Sequence, residues 1–434
     1  MKTHIVRERL PNGLLAVAIS RPWASTAMFC VDVRVGARFE APQDSGLSHF
    51  LEHMIFQGCD GLPTPEAVNE ASERLGAALD ASTTRDSTRF EHWVAADRLT
   101  ESARLVGALL GSPRFASIES ERAIILEEAL DEFDEDGRRV DAETLSRRAL
   151  WPASPIGQSV IGELAHLRRF GVADLRRHHA RFYGAANMVA TAVGPQSVDE
   201  LMAITRDALG RLPAGQRTEP APPGALPEGP VIDLVDDHRS QCDCRLVLRT
   251  PGRADPDAAA FALLRIALDD GLASRMHRRL GGELGLAYDQ WALWEHYPDT
   301  GAFELGAQVS PGKVRTFFTE AQRLIEGLIS APPEGEELAR VRFRARWAIE
   351  SALDTPDGLV SLHGAPYLYT DAPPGPADRI AAFDRITTDD LRRVARRLIE
   401  PRGYVACCVG PIDKATRRAL RAGARKFGPT DAAA

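Results

Sequence analysis

Apolar positions along the chain fall into short alternating runs and longer helical periods, interleaved from end to end. Residues 14–19 and 28–35 are rich in valine and alternate, which predicts strands, the first introduced by a Pro11-Asn12-Gly13 turn. Residues 45–56 have helical spacing with Ser45 placed to cap them, and further helices are predicted at 65–76, 97–110, 117–135 and 141–149. Later, strands at 231–235 and 243–249 precede helices near 256–268 and 273–280. This interleaving predicts an α+β fold with helices packed on largely antiparallel sheet.

Residues 212–230 (LPAGQRTEPAPPGALPEGP) carry no apolar period and are crowded with Pro and Gly, which predicts a linker. The halves on either side resemble each other. Residues 174–195 and 390–411 agree at 10 of 22 positions without a gap, each an Arg-rich helix followed by a strand ending in Val-Gly-Pro. A long unit used twice indicates a duplicated domain rather than a solenoid. The expected organisation is therefore a domain at 1–211, a linker at 212–230 and a second, related domain at 231–434.

Composition narrows the function class. The 434 residues are 44% hydrophobic and 26% charged, which excludes a disordered, collagenous or coiled-coil chain. A net charge of −8 argues against a nucleic-acid binder, and no charge-free apolar run reaches the ~18 residues needed to span a membrane. The N-terminus lacks the apolar core of a secretory signal. Six scattered cysteines are too sparse for a disulfide scaffold, so reduced thiols in a cytoplasmic protein are expected, with Cys242, Cys244, Cys407 and Cys408 as small strand residues. The basic run at 414–426 reads as a solvated terminal helix, and His178-His179 as helix surface. His92, His277 and His296 have no partners at ligand spacing.

The segment that points to chemistry is Gly46-Leu47-Ser48-His49-Phe50-Leu51-Glu52-His53-Met54. On a helix His49 and His53 share a face and can reach one ion, with Glu52 on the same side. Two imidazoles and a carboxylate base are what zinc hydrolysis requires, since the metal acidifies water and the carboxylate takes its proton. The pattern is HxxEH, the inverse of HExxH. A third ligand must come from elsewhere. The helix-forming segment 121–128 puts Glu121 and Glu128 on one face, and periodicity leaves Glu127 and Glu128 as alternatives. Shifted by 216 residues, His49, Glu52 and His53 fall on Arg265, Leu268 and Asp269, so the second half carries no matching site.

With these motifs the chain resembles the pitrilysin/insulinase-like family of inverted-motif zinc peptidases, in its half-length, processing-peptidase-like branch. The resemblance runs nearly end to end, through Leu10-Pro11-Asn12-Gly13-Leu14, residues 36–40, the 46–58 helix, 121–128 and Gly285-Leu286-Ala287-Tyr288. It implies one Zn2+ per chain held by His49, His53 and Glu128, with Glu52 as general base and Glu121 orienting a ligand. It implies that residues 75–81, including Ala78 and Asp80, pair with peptide substrate as an added strand, and that Tyr288 helps hold the peptide carbonyl. It also implies a catalytic and a degenerate half forming half of a clamshell, completed by a homologous partner around a chamber that admits short or unfolded peptides. The chain departs from the pattern at three places. Gly281 stands where an Arg is usual, with Arg278 and Arg279 nearby as replacements; Asp80 stands where Asn is frequent; and the glycine-rich run is reduced to Asp269-Asp270-Gly271. A heterodimer with a subunit retaining the Arg/Tyr pair and a homodimer are both consistent with this. The alternative functions are maturation of one precursor peptide and a non-catalytic assembly role.

Overall fold

The computed structural model describes residues 3–399 and 403–423. Eleven strands among them form two sheets. The first contains β1 (His4–Arg9), β2 (Leu15–Ser20), β3 (Thr26–Val33), β4 (Asp80–Thr83), β5 (Thr88–Ala95) and β6 (Met188–Gly194), in the order β1-β2-β6-β3-β5-β4. The second contains β7 (Val231–Val235), β8 (Cys242–Thr250), β9 (Gln290–His296), β10 (Gly301–Val309) and β11 (Tyr404–Val409), in the order β7-β11-β8-β10-β9. Each has one parallel pair, β2 with β6 and β7 with β11, and is otherwise antiparallel. Strand for strand, the second order repeats the first without β1, as the duplicated sequence predicts. The first half contains, among others, the helices α1 (Leu47–Ile55), α2 (Pro65–Glu73), α3 (Leu99–Gly111), α4 (Ile118–Leu130) and α5 (Ala142–Leu150).

The chain folds into two compact units that do not follow its halves. One contains the chain up to Ala129 with Gln158–Ala221 and Glu350–Gly375; the other contains Leu130–Gly157, Pro222–Ile349 and the chain from Pro376 on. The expected division at 212–230 thus misplaces two segments, which are exchanged between the copies. In the first unit one face of the sheet (Ala16, Ala18, Phe29, Val31, Val33) joins the main core with α1 and α3. The opposite face (Leu15, Val17, Ile19, Met28, Val189, Val193) is covered by Leu359, Val360 and Leu368 of the exchanged segment. In the second unit Val140, Ala142, Leu150, Trp151 and Ile156 cover Val247, Ala302, Val405, Cys407 and Val409 in the equivalent way. Burial on both faces explains why β2, β3 and β6 are nearly unbroken apolar runs, with less alternation than expected over 14–19 and 28–35.

Residues 212–230 contain no helix or strand. Among the described residues no helix is long and apolar enough to cross a membrane. All six cysteines are free and buried, and Cys244 Sγ lies 3.4 Å from Cys408 Sγ across the β8–β11 pair. Two predicted helices are trimmed. The one expected at 117–135 ends at Leu130, and 273–280 becomes a π-helical turn over His277–Glu283. The basic run at 414–426 is helical over Lys414–Gly423, its last residues lying outside those described.

Candidate metal centre

The site is built on α1, nearly every residue of which is buried. Ser45 does not cap this helix. Gly46 precedes it at φ 94°, and the buried Glu40 carboxylate accepts from the backbone N–H groups of Gly46 (2.8 Å) and Ser48 (2.6 Å). A carboxylate satisfies those end groups and complements the helix dipole. Burial pushes the Glu40 carboxyl up to about 7 against those hydrogen bonds. Glycine is required at 46, because a Cβ would stand 2.3 Å from Ile161 O, with Gly162 packed against it. Ser48 Oγ lies 3.0 Å from His178 Nε2. His178, expected on the surface, is buried beside Phe182, and burial pushes its ring down to about 3, so it is neutral.

From this helix His49 and His53 project together, their rings 4.6 Å apart at 67°. Of the two candidate third ligands, α4 presents Glu128, whose carboxylate oxygens lie 3.6 Å from His49 Nε2 and 3.5 Å from His53 Nε2. The three donor atoms fall within 4.8 Å of one another. One turn-pair back on α4, Glu121 Oε1 lies 2.8 Å from His53 Nδ1, and Gln57 Nε2 donates to Glu121 Oε2 at 2.6 Å. With Nδ1 engaged by a carboxylate, the lone pair of His53 Nε2 faces Glu128 and His49, which is how a metal-binding imidazole is oriented. Two imidazoles and one carboxylate are a donor set that suits catalytic zinc, which keeps a further position open. The residues present therefore fit that ion. On the same helix Ile125 is fully buried and Ile124 is exposed.

Glu52 is buried beside this cluster, and Thr83 Oγ1 on β4 donates to its Oε2 at 2.7 Å. Burial raises the Glu52 carboxyl, opposed by that hydrogen bond and by the charge on His53. Burial depresses both imidazoles. In His53 the hydrogen bond to Glu121 and the neighbouring carboxylates outweigh it and raise the ring, whereas His49 is pushed down to about 3. The structure thus brings together His49, Glu52, His53, Glu121 and Glu128.

The group of donor atoms does not include the remaining predicted site residues. Asp80 opens β4, the last strand of its sheet, which pairs with β5 alone among the described residues; Ala78 lies just before the strand, and both are exposed. The strand expected over 75–81 is thus Asp80–Thr83. Tyr288 belongs to the other compact unit and its side chain is fully exposed. Gly281 sits in the π-helical turn, where a Cβ would meet Gln290 Nε2 at 3.2 Å. Arg279 is committed to Glu320 and Glu283, each at 2.7 Å, while Arg278 is exposed. Thr83, Gln57, Glu40 and His178 were not singled out as site residues by sequence. Of these only His178 carried a signal, sharing a helical face with Leu175 and Phe182.

The profile described as insulinase (peptidase family M16) matches residues 15–162, and that described as the peptidase M16 inactive domain matches residues 169–344. An uncharacterized zinc protease of Mycobacterium leprae is 29% identical over 94% of this chain and 92% of its own length. The mitochondrial-processing peptidase subunit beta of Blastocladiella emersonii is 26% identical over 95% and 89% respectively. A protease from Helicobacter pylori has the same fold, with a TM-score of 0.87 at 21% identity over 95% of this chain and all of that one. With the metal-motif half matching one profile of the family and the following half matching its inactive-domain profile, the chain belongs to the M16 (insulinase-like) family of zinc peptidases.

Proposed function

We propose that the chain is a zinc-dependent endopeptidase for short or unfolded peptides, in which His49, His53 and Glu128 hold one ion and Glu52 is the general base. The observation that carries this reading is the convergence of three donor atoms within 4.8 Å beside Glu52, a buried carboxylate on the helix that bears the two histidines. When bound, zinc acidifies water and polarises a peptide carbonyl. Glu52 takes the proton of the attacking water as its oxygen bonds to the carbonyl carbon. The same carboxyl then delivers that proton to the amine nitrogen as the C–N bond breaks. Glu121 keeps His53 in the tautomer that leaves Nε2 free. The free edge of β4 offers backbone groups from Asp80 to Thr83 to an extended peptide, the usual route of strand addition. Cleavage of a mixed peptide library by the zinc-loaded chain assembled with its partner subunit, lost with a chelator and in Glu52→Gln, is the expected result; undiminished cleavage in either control would refute the reading.

The reading extends to a second, homologous subunit that completes an enclosed chamber. Two observations favour a heterodimer: Gly281 replaces the Arg that the resemblance implies, and Arg279 is held by two glutamates. A relative is itself named as a β subunit of a processing peptidase. On this view the partner retains an Arg/Tyr pair, and Tyr288 of this chain plays a lesser part. A single purified polypeptide with full activity would instead favour the homodimer. Six free, buried thiols accord with a reducing, cytoplasmic setting.

A further inference from the structure

A threonine in an edge strand needs no function, because β-branched residues suit strands. Thr83 is set apart by where its hydroxyl goes. Its Oγ1 lies 2.7 Å from Glu52 Oε2 and 3.3 Å from Thr88 Oγ1, its register partner on β5. Thr88 is fully buried, and its one hydroxyl proton goes to Val35 O at 3.0 Å. No proton then remains on Thr88 for Thr83. The Thr83 proton has a carboxylate at short range, and an ionised carboxylate can only accept. The direction is therefore fixed, from Thr83 to Glu52. Thr83 is itself held, because the strand turns back immediately through Thr84 N to Ser87 O at 2.8 Å.

We infer that Thr83 is a positioning residue for the general base: its hydroxyl holds one oxygen of Glu52, fixes the carboxylate's rotamer and leaves the other oxygen to receive the proton of water. This rests on the reading of Glu52 as the base. A glutamate has three side-chain torsions, and the hydrogen bond from Thr83 Oγ1 restrains this one at its carboxylate end. Thr83 also ties the base on α1 to the strand whose outer edge is open to peptide.

The test compares Thr83→Val, which keeps the shape and removes the hydroxyl, with Thr83→Ser, which keeps the hydroxyl. Both are made in the full chain, with zinc content, kcat and KM measured together. Thr83→Val is expected to lower kcat by roughly 10- to 100-fold, the scale of a misplaced catalytic group, with KM and bound zinc unchanged. Thr83→Ser is expected to stay within about threefold of the parent. Parental kcat in Thr83→Val overturns the inference, as does an equal fall in both variants, which would indicate packing alone. A second readout is independent of turnover. The Glu52 carboxylate band, identified by infrared difference against Glu52→Gln, should move in Thr83→Val and not in Thr83→Ser. With kcat and KM taken on the assembled peptidase, an inactive parent, or an active Glu52→Gln, would count against the peptidase reading. An unmoved band in Thr83→Val would count against the role of Thr83 whatever the turnover.

Discussion

The two copies of the fold place a helix at the same point, directly after the third strand of the first sheet and its counterpart β8 in the second, and fill it differently. In the first copy α1 buries Ser48, His49 and Glu52 among its apolar residues. In the second, Ala258–Leu268 buries Phe261, Leu263, Leu264, Ile266 and Leu268. The apolar version shows that the architecture does not require polar groups there. A buried polar group without a partner costs on the order of 2–7 kcal/mol, so those of the first copy need compensation. Ser48 has it in His178, Glu52 in Thr83 and His53 in Glu121, whereas His49 Nδ1 is buried without a hydrogen-bond partner among the described residues and His49 Nε2 faces Glu128. The second copy commits its buried charge to structure instead. Glu304, fully buried on β10, accepts from Arg147 (2.7 Å), Arg245 (3.1 Å) and the Trp291 indole (2.7 Å), and Arg147 sits on the exchanged helix α5. On the proposed function, one copy uses buried polar residues for chemistry and the other for cohesion.

If that contrast is right, variants in the two copies separate cleanly. The largest effect is expected from His53→Ala, which should take zinc from one per chain to none and abolish cleavage; metal analysis after dialysis checks it. In the second copy Glu304→Ala leaves two arginines without their shared partner and should cost about 3–5 kcal/mol. Denaturant unfolding measures that loss, and zinc content should stay at one per folded chain. Glu121→Gln acts more gently. Removing the carboxylate that orients His53 should weaken zinc binding by roughly 10- to 100-fold, read by competition with a chelator.

The smallest effect is a pH dependence. His178 is held near 3 when folded and titrates near ~6.5 when unfolded, so between those values the unfolded chain binds more protons and stability rises with pH. Lowering the pH from ~6.5 to ~5.5 should cost about 1 kcal/mol through this ring, and His178→Phe should flatten that part of the stability profile.

What could be read from sequence follows from what periodicity encodes. β2, β3, β6, β7, β8, β11 and the HxxEH helix were legible, from valine-rich runs, the repeated strand ending in Val-Gly-Pro and helical spacing, whereas β5, β9 and β10 were not predicted. Nor was β1, because five of its six residues are exposed and carry no alternation. The exchange of 130–157 and 350–375 was also hidden, since an amphipathic helix shows that it packs without showing which sheet receives it. Glu127 and Glu128 differ by one helical step, and only the direction of α4 toward α1 selects Glu128. Ser45 was a reasonable cap by residue type, but Glu40, from outside the helix, took the backbone donors. Thr83 and Gln57 meet the site through folding alone and leave no spacing to detect.

The central claim is that the first copy alone binds zinc and that Glu52 uses it. Zinc content and peptide cleavage, measured on one preparation each of the parent chain and Glu52→Gln, test it most directly. The prediction is one zinc per chain in both, with turnover by the assembled peptidase falling at least ~100-fold in the variant. Zinc-dependent cleavage that survives in Glu52→Gln would contradict the claim, as would a parent chain that binds no zinc.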